Sequence, residues 1–224
     1  MNNQPFSIFA PFQDRIAVTF FSKSDAVSSD ADLKTLLHTA ELATVQQVHG
    51  KKTIIVREAV ERAPDADGLI TDTKNLTLAV RVADCQSFVV YEPKSNVVGV
   101  LHAGWKGLIS KAIPEFFRTL ESEWNILATD TYVGAGPSLC QKCAEFTDPL
   151  QELPDMNPRF FSGRCADLRG YADQQLMDMG VDRGRIERMD DCTKCKKFKY
   201  YSYRGGDKEA VMQGWDNVLV CTLK

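Results

Sequence analysis

The sequence predicts a mixed fold, α/β or α+β, with helices outside a sheet core. Two observations carry this. A series of short segments has the β-branched and aromatic composition of strands, and fewer, longer segments place apolar residues at helical spacing. The two kinds alternate loosely rather than strictly, as in mixed folds.

In chain order, Ile16 to Phe21 is short and β-rich. Ser29 to Leu42 predicts a helix with Leu33, Leu36, Leu37 and Ala40 on one side and Ser29 or Asp30 as cap. Thr53 to Arg57 predicts a strand, and Leu76 to Val82 alternates as a strand does. Ser87 to Tyr91 and Val97 to Leu101 are near-continuous apolar runs, the pattern of strands buried on both faces. Lys106 to Glu121 predicts a second helix, with Leu108, Ile109, Ala112, Ile113, Phe116, Phe117 and Leu120 as its apolar stripe. Pro114 should kink that helix or mark its true first turn. Thr131 to Val133 is a shorter strand, Asn157 to Phe161 a short turn, and Asp167 to Met179 a third helix closed by Gly180. Val218 to Leu223 is the last strand.

With 224 residues, 44% hydrophobic and 25% charged, the chain is long enough for one sizeable core, and a single domain over 1–224 is expected. The net charge of −3 offers no basic face, so no nucleic-acid partner is expected. The basic run Lys194, Lys196, Lys197 and Lys199 reads as a solvated face. Met1 to Ala10 lacks the charged start and apolar core of a secretory leader, and no apolar run approaches the ~20 residues of a membrane span. A cytoplasmic location without a membrane partner is expected. Seven cysteines, an odd number, argue against a disulfide framework.

The chain has only three histidines. His38 lies within the first predicted helix and reads as structural or surface. His49 ends a β-like segment in Gln47-Val48-His49-Gly50, and His102 ends the apolar strand before Ala103-Gly104-Trp105-Lys106-Gly107. Cys85 lies between two predicted strands in Ala83-Asp84-Cys85. All three stand at strand-to-loop junctions, where rigid scaffolds present functional groups. Two imidazoles and a thiolate suit zinc and leave a fourth position open. Copper also accepts nitrogen and sulfur ligands. The spacing matches no short metal motif, so satisfied histidines and a buried thiol stand as the alternative.

Several blocks occur in order over roughly residues 45 to 205. They are Gln47-Val48-His49-Gly50, Asp65-Ala66-Asp67-Gly68-Leu69-Ile70-Thr71, Val82-Ala83-Asp84-Cys85, Val98 to Gly107, Gly134-Ala135-Gly136-Pro137-Ser138 and Tyr201-Ser202-Tyr203-Arg204. Together they resemble the YfiH/YlmD family, also called the laccase-domain or polyphenol oxidoreductase family and described as purine nucleoside phosphorylases. The resemblance implies a four-layer α/β/β/α arrangement of two packed sheets flanked by helices. It implies metal ligands at His49, Cys85 and His102. It implies a purine nucleoside and phosphate as partners, with adenosine or inosine phosphorolysis, methylthioadenosine cleavage and adenosine deamination as activities. Asp84, beside Cys85, is a candidate to orient a histidine ligand or act as base, or else a strand-end turn. Arg204 is the anion-contacting candidate, and Lys106 and Gln47 are candidates to bind substrate. Trp105 stands between purine stacking and core packing. Monomer and homodimer are both open.

The sequence departs from the family in three places. Phe21 to Val27 lacks the arginine and glycine pair of the family's N-terminal loop, Lys106 stands where arginine is usual, and Arg204-Gly205 retains one of two arginines. Cys140-Gln141-Lys142-Cys143 and Cys192-Thr193-Lys194-Cys195 form two C-x-x-C pairs, open to a structural zinc, a redox-labile pair or plain cysteines. Cys165 and Cys221 read as ordinary thiols. Competing functions are a Cys-His hydrolase with Cys85 as nucleophile, a copper-dependent polyphenol oxidase, for which three histidines are too few, and a degenerate nucleotide-binding member without turnover.

Overall fold

The computed structural model describes residues 4–62 and 64–224. Residues 1–3, the start of the segment read for a leader, lie outside them. The strands in chain order are β1 (Ile16–Phe21), β2 (Leu42–Ala43), β3 (Thr53–Ile55), β4 (Gly68–Thr71), β5 (Thr77–Val82), β6 (Gln86–Glu92), β7 (Val97–Ala103), β8 (Tyr132–Ala135), β9 (Phe161–Ser162), β10 (Cys165–Ala166), β11 (Ile186–Arg188) and β12 (Asn217–Leu223). The α-helices are α1 (Asp30–Leu37), α2 (Trp105–Ile109), α3 (Ala112–Trp124), α4 (Pro149–Glu152), α5 (Leu168–Asp178) and α6 (Lys208–Met212).

Two sheets form the centre. One has the order β1-β12-β5-β2, the other β11-β8-β6-β7-β4-β3. Their facing sides share an apolar layer: Val18, Leu78, Val80, Leu219 and Cys221 from the first sheet, and Leu69, Val89, Tyr91, Val98 and Val100 from the second. The outer face of the second sheet carries Ile70, Phe88, Val90 and Leu101, covered by Ile113, Phe116, Phe117 and Leu120 of α3 and by α5. The outer face of the first sheet carries Ala79, Val218 and Val220 under Leu33 of α1. The result is the α+β, four-layer helix-sheet-sheet-helix arrangement expected. It also explains the continuous apolar runs in β6 and β7. Alternate residues point to opposite faces, and each face meets a different apolar layer.

Close approach sets one position. A Cβ on Gly99 of β7 would stand 2.6 Å from Phe116 Cζ, so α3 docks against the sheet only over a residue without a side chain. No helix among the described residues is long and apolar enough to cross a membrane.

The first predicted helix is shorter than expected. Ser29 caps α1 through a reciprocal capping box with Asp32, but His38 turns left-handed at φ 51° and ends the helix. His38 is therefore a helix cap rather than a mid-helix residue, and Leu42 belongs to a strand. The second predicted helix divides at Ser110–Lys111, where Lys111 has φ 67°. Pro114 then falls in the first turn of α3, where its missing N–H costs nothing. Asp167 caps α5 by accepting from the Gly170 N–H, close to the predicted start. The short strands β2, β4, β9, β10 and β11 are not predicted, since two to four residues give too few repeats for a period to show; β3 and β8, equally short, are marked by β-branched and aromatic composition instead.

Candidate metal centre

Three loops meet at one end of the sheet sandwich. Ala83, Asp84 and Cys85 form the link by which the chain leaves β5 in one sheet and enters β6 in the other. The link puts Asp84 at φ 92°, a conformation side chains rarely adopt. Three bonds hold it there: Asp84 Oδ1 accepts from Thr193 Oγ1 at 2.7 Å and from Ser202 Oγ at 2.6 Å, and Oδ2 accepts from the Arg204 N–H at 2.7 Å. Asp84 thus ties two later loops to the corner beside Cys85, and its side-chain bonds go to Thr193, Ser202 and Arg204 rather than to a histidine.

His102 lies on β7 with the parity of Val98 and Val100, whose side chains face the other sheet. At this end the apolar layer gives way to its ring, and His102 is 2% exposed. His49 follows an irregular run after β2 and takes a left-handed conformation at φ 60°. That turn aims successive N–H groups of His49 and Gly50 at the Asp67 carboxylate, at 3.0 and 2.6 Å. The same carboxylate meets His102 Nδ1 at 2.7 Å. One fully buried aspartate therefore fixes the loop carrying one imidazole and the ring of the other.

The donor atoms of His49, Cys85 and His102 all lie within 4.8 Å of one another. The imidazoles meet edge to face, with ring centroids 4.8 Å apart. Burial alone would push the Cys85 thiol up, but the charge of His102 and hydrogen bonds from His102 and His49 outweigh it and bring the thiol down to about 6. His102 moves the other way. Burial lowers it, yet the Cys85 thiolate and Asp67 raise it to about 9. Asp67 itself is held below the usual carboxylate range: burial opposes this, and His102 and the two N–H groups prevail.

This donor set fits a metal ion. With Nδ1 of His102 engaged by Asp67, its Nε2 is the nitrogen turned to the cluster, the carboxylate–histidine arrangement of metal sites. Two nitrogens and a soft sulfur match zinc or copper. The approach also needs Gly104, since a Cβ there would stand 2.9 Å from Cys85 Sγ and 3.0 Å from His49 Cδ2.

The three donors open into a cavity of about 670 Å³, within the usual range for small-molecule sites. Arg204 lines it, with its guanidinium over the Phe146 ring at 5.2 Å. Gln47 lines it too, but its side-chain amide is engaged with the Arg81 backbone, giving to Arg81 O and taking from Arg81 N–H at 2.8 Å each. Lys106 does not: it is exposed, and its ammonium lies 5.5 Å from the Trp105 ring centroid. Trp105 lines the cavity and packs edge to face on Phe146. The altered N-terminal loop contributes no cavity residue. Lys23 instead pairs with Asp207 at 2.7 Å and latches that loop to the Arg204 segment.

Sequence reasoning missed three charged residues. Asp67 was visible only as part of a motif. Arg81 lines the cavity from β5; Asp30 accepts from its Nη2 at 2.9 Å, while its Nε and Nη1 have no partner among the described residues. Asp216 lines the cavity beside it, its carboxyl raised by burial against the pull of Arg81, Arg62 and His102. An arginine inside an otherwise apolar strand, Leu78 to Val82, was the available signal for Arg81.

Residues 23–214 match the family described as multi-copper polyphenol oxidoreductase laccase. A purine nucleoside phosphorylase of Rickettsia conorii is 27% identical over 195 residues, 82% of this chain and 78% of that protein. A protein named adenosine deaminase RL5, from an unknown prokaryotic organism, is 27% identical over 183 residues, 75% of this chain and 66% of its own length. Among solved structures, YlmD of Geobacillus stearothermophilus superposes with a TM-score of 0.80 at 21% identity, over 98% of this chain and 94% of that one. The hypothetical protein YfiH of Bacillus licheniformis does so with 0.80 at 21% identity, covering 93% of each.

Proposed function

The chain belongs to the laccase-domain family that includes YfiH and YlmD, and on that premise we propose that it is a metal-dependent purine nucleoside phosphorylase acting on adenosine or inosine. The observation that carries the reading is the convergence of His49, Cys85 and His102 in a cavity whose wall also holds Arg62, Arg81 and Arg204. A metal site alone would suit many reactions. Arginines beside it suit a phosphate co-substrate.

His49, Cys85 and His102 would hold the ion. When bound, the metal supplies positive charge that orients and polarises an oxygen at the reacting centre. The chain's own groups have separable roles. Asp67 keeps the His102 proton on Nδ1 and leaves Nε2 free. The guanidiniums of Arg81 and Arg204, both residues of the cavity wall, bind phosphate. Trp105 and Tyr203 offer ring faces to the purine. A phosphate oxygen attacks the anomeric carbon, the bond from that carbon to the purine nitrogen breaks, and the purine leaves with the electron pair. Asp216, raised by burial and so protonated more readily than an ordinary aspartate, gives the departing purine a proton.

Methylthioadenosine cleavage would follow the same course with a different sugar substituent, and deamination of adenosine is the activity for which the relative RL5 is named. Copper-dependent phenol oxidation is disfavoured, because three histidines in the whole chain cannot furnish a multicopper centre. A Cys-His hydrolase has one observation in its favour, the Cys85 thiol lowered to about 6 beside His102. Metal content separates it from the phosphorylase reading. A binding role without turnover draws on the altered N-terminal loop.

The test is release of free base from inosine or adenosine by metal-replete protein, with and without phosphate, beside Cys85→Ala. Phosphate-dependent release that disappears in the variant is expected. No release from either nucleoside by protein shown to hold metal would overturn the phosphorylase reading. Ammonia release from adenosine in the same incubation scores deamination.

A further inference from the structure

The four cysteines of the two C-x-x-C pairs come together away from the histidines. Their sulfur atoms, from Cys140, Cys143, Cys192 and Cys195, all lie within 4.8 Å of one another. Cys143 Sγ and Cys195 Sγ are 3.5 Å apart. Zinc bonds of ~2.3 Å in a tetrahedron place neighbouring sulfurs about 3.8 Å apart, close to that separation. The 48 residues between the pairs, which made the pattern ambiguous in the sequence, are spanned by the fold: an isolated parallel bridge joins Ser138 to Cys192.

From this we propose that Cys140, Cys143, Cys192 and Cys195 form a structural zinc site, separate from the His49, Cys85 and His102 centre. The surroundings are built for thiolates. Cys192 Sγ accepts from the Cys140 N–H at 3.3 Å and from the Cys195 N–H. Arg169 supplies positive charge beside Cys140 and Cys192, which offsets the negative charge that four thiolates leave on a zinc ion. Its guanidinium also binds both knuckle segments through their backbones: Ser138 O, Asp190 O at 3.0 Å and Asp191 O at 2.7 Å. A disulfide fits less well. It would join two of these sulfurs and leave the other two crowded against it. All four ligands contribute the same soft donor, and no position is left open for substrate, so the site is structural rather than catalytic.

Its consequence reaches the cavity. Ser138 and Leu139, just before the first pair, line it. Thr193, inside the second pair, and Ser202 with Arg204, just after it, hold Asp84 next to Cys85. The zinc therefore clamps the segments that carry Ser138 and Leu139 and that hold Asp84 beside Cys85. Because the two sites share no ligand, the inference does not depend on the phosphorylase reading.

The test is zinc content of the full chain, purified under reducing conditions, with zinc X-ray absorption. The His49→Ala/His102→Ala variant, which keeps the cluster intact, should retain one zinc per chain with four sulfur ligands at ~2.3 Å. Cys143→Ser/Cys195→Ser should lose one zinc per chain relative to wild type and be cut by trypsin faster at Lys194–Lys199. A histidine variant that folds yet holds no zinc, or holds it with fewer than four sulfurs, would overturn the proposal. So would a Cys143–Cys195 disulfide in metal-free wild type, or a cysteine variant with unchanged zinc content and unchanged cleavage.

Discussion

Replacing Asp67 by asparagine keeps the size of the side chain and removes one acceptor. In the native site the carboxylate is fully buried and serves three donors, His102 Nδ1 at 2.7 Å and the N–H groups of His49 and Gly50 at 3.0 and 2.6 Å. Asparagine has one acceptor oxygen and one amide nitrogen. If the oxygen serves His102 and His49, the amide faces the Gly50 N–H, donor against donor. A buried N–H left without a partner costs about 1–3 kcal/mol. If the amide turns the other way, it opposes His102 Nδ1 and favours the wrong tautomer, with no proton on Nδ1. Loss of such a partner lowers metal affinity 10–100-fold, which is about 1.4–2.7 kcal/mol. Asp67→Asn should therefore weaken zinc by one to two decades in a competition titration against a chelator, or lose about 1–3 kcal/mol in urea unfolding. The urea titration of the metal-free protein tells the two apart. Unchanged zinc affinity together with unchanged stability would refute the role assigned to Asp67.

Gly104→Ala should lower metal occupancy without altering a ligand, since the added carbon falls 2.9 Å from Cys85 Sγ; full occupancy by elemental analysis would show that the loops adjust freely. Arg81→Gln should raise KM for phosphate at least tenfold while KM for the nucleoside changes little, and equal changes in both would remove Arg81 from phosphate binding. Asp32 caps α1, and its carboxyl is lowered to about 2 by hydrogen bonds from Ser28 and Ser29. Its folded pKa lies below its unfolded one, so its stabilisation is present above about pH 4 and is lost as pH falls toward 2. Solvent screening limits this to about 1 kcal/mol. Asp32→Asn should therefore unfold more easily at pH 7 and converge with wild type near pH 2 in a pH series of urea titrations; a gap that persists at pH 2 would mean another cause.

The Arg81 and Asp216 pair gives the cavity an uneven charge. Arg81 is anchored on one side by Asp30, the first residue of α1, which also accepts from Thr44 Oγ1 at 2.7 Å. The helix on the outer face of one sheet thereby positions a cation at the cavity wall. Asp216 stands in the loop immediately before β12, an interior strand of the same sheet.

The residues themselves determined the long strands and the helix stripe, because the alternation of Leu76 to Val82, the near-continuous apolar runs of β6 and β7, and Ile113, Phe116, Phe117 and Leu120 at helical spacing are patterns that survive without context. They also marked His49, Cys85 and His102, as donor residues standing where apolar runs stop. The helix ends were decided by left-handed residues at His38 and Lys111, whose backbone choice no composition announces. The convergence of the three donors depends on Ala83–Cys85 crossing between sheets, a long-range event with no local signature. The parts assigned to Asp67, Arg81 and Asp216 were likewise decided by the tertiary structure. A carboxylate or guanidinium looks the same in a sequence whether it faces water or a buried imidazole, and only burial and neighbours tell them apart.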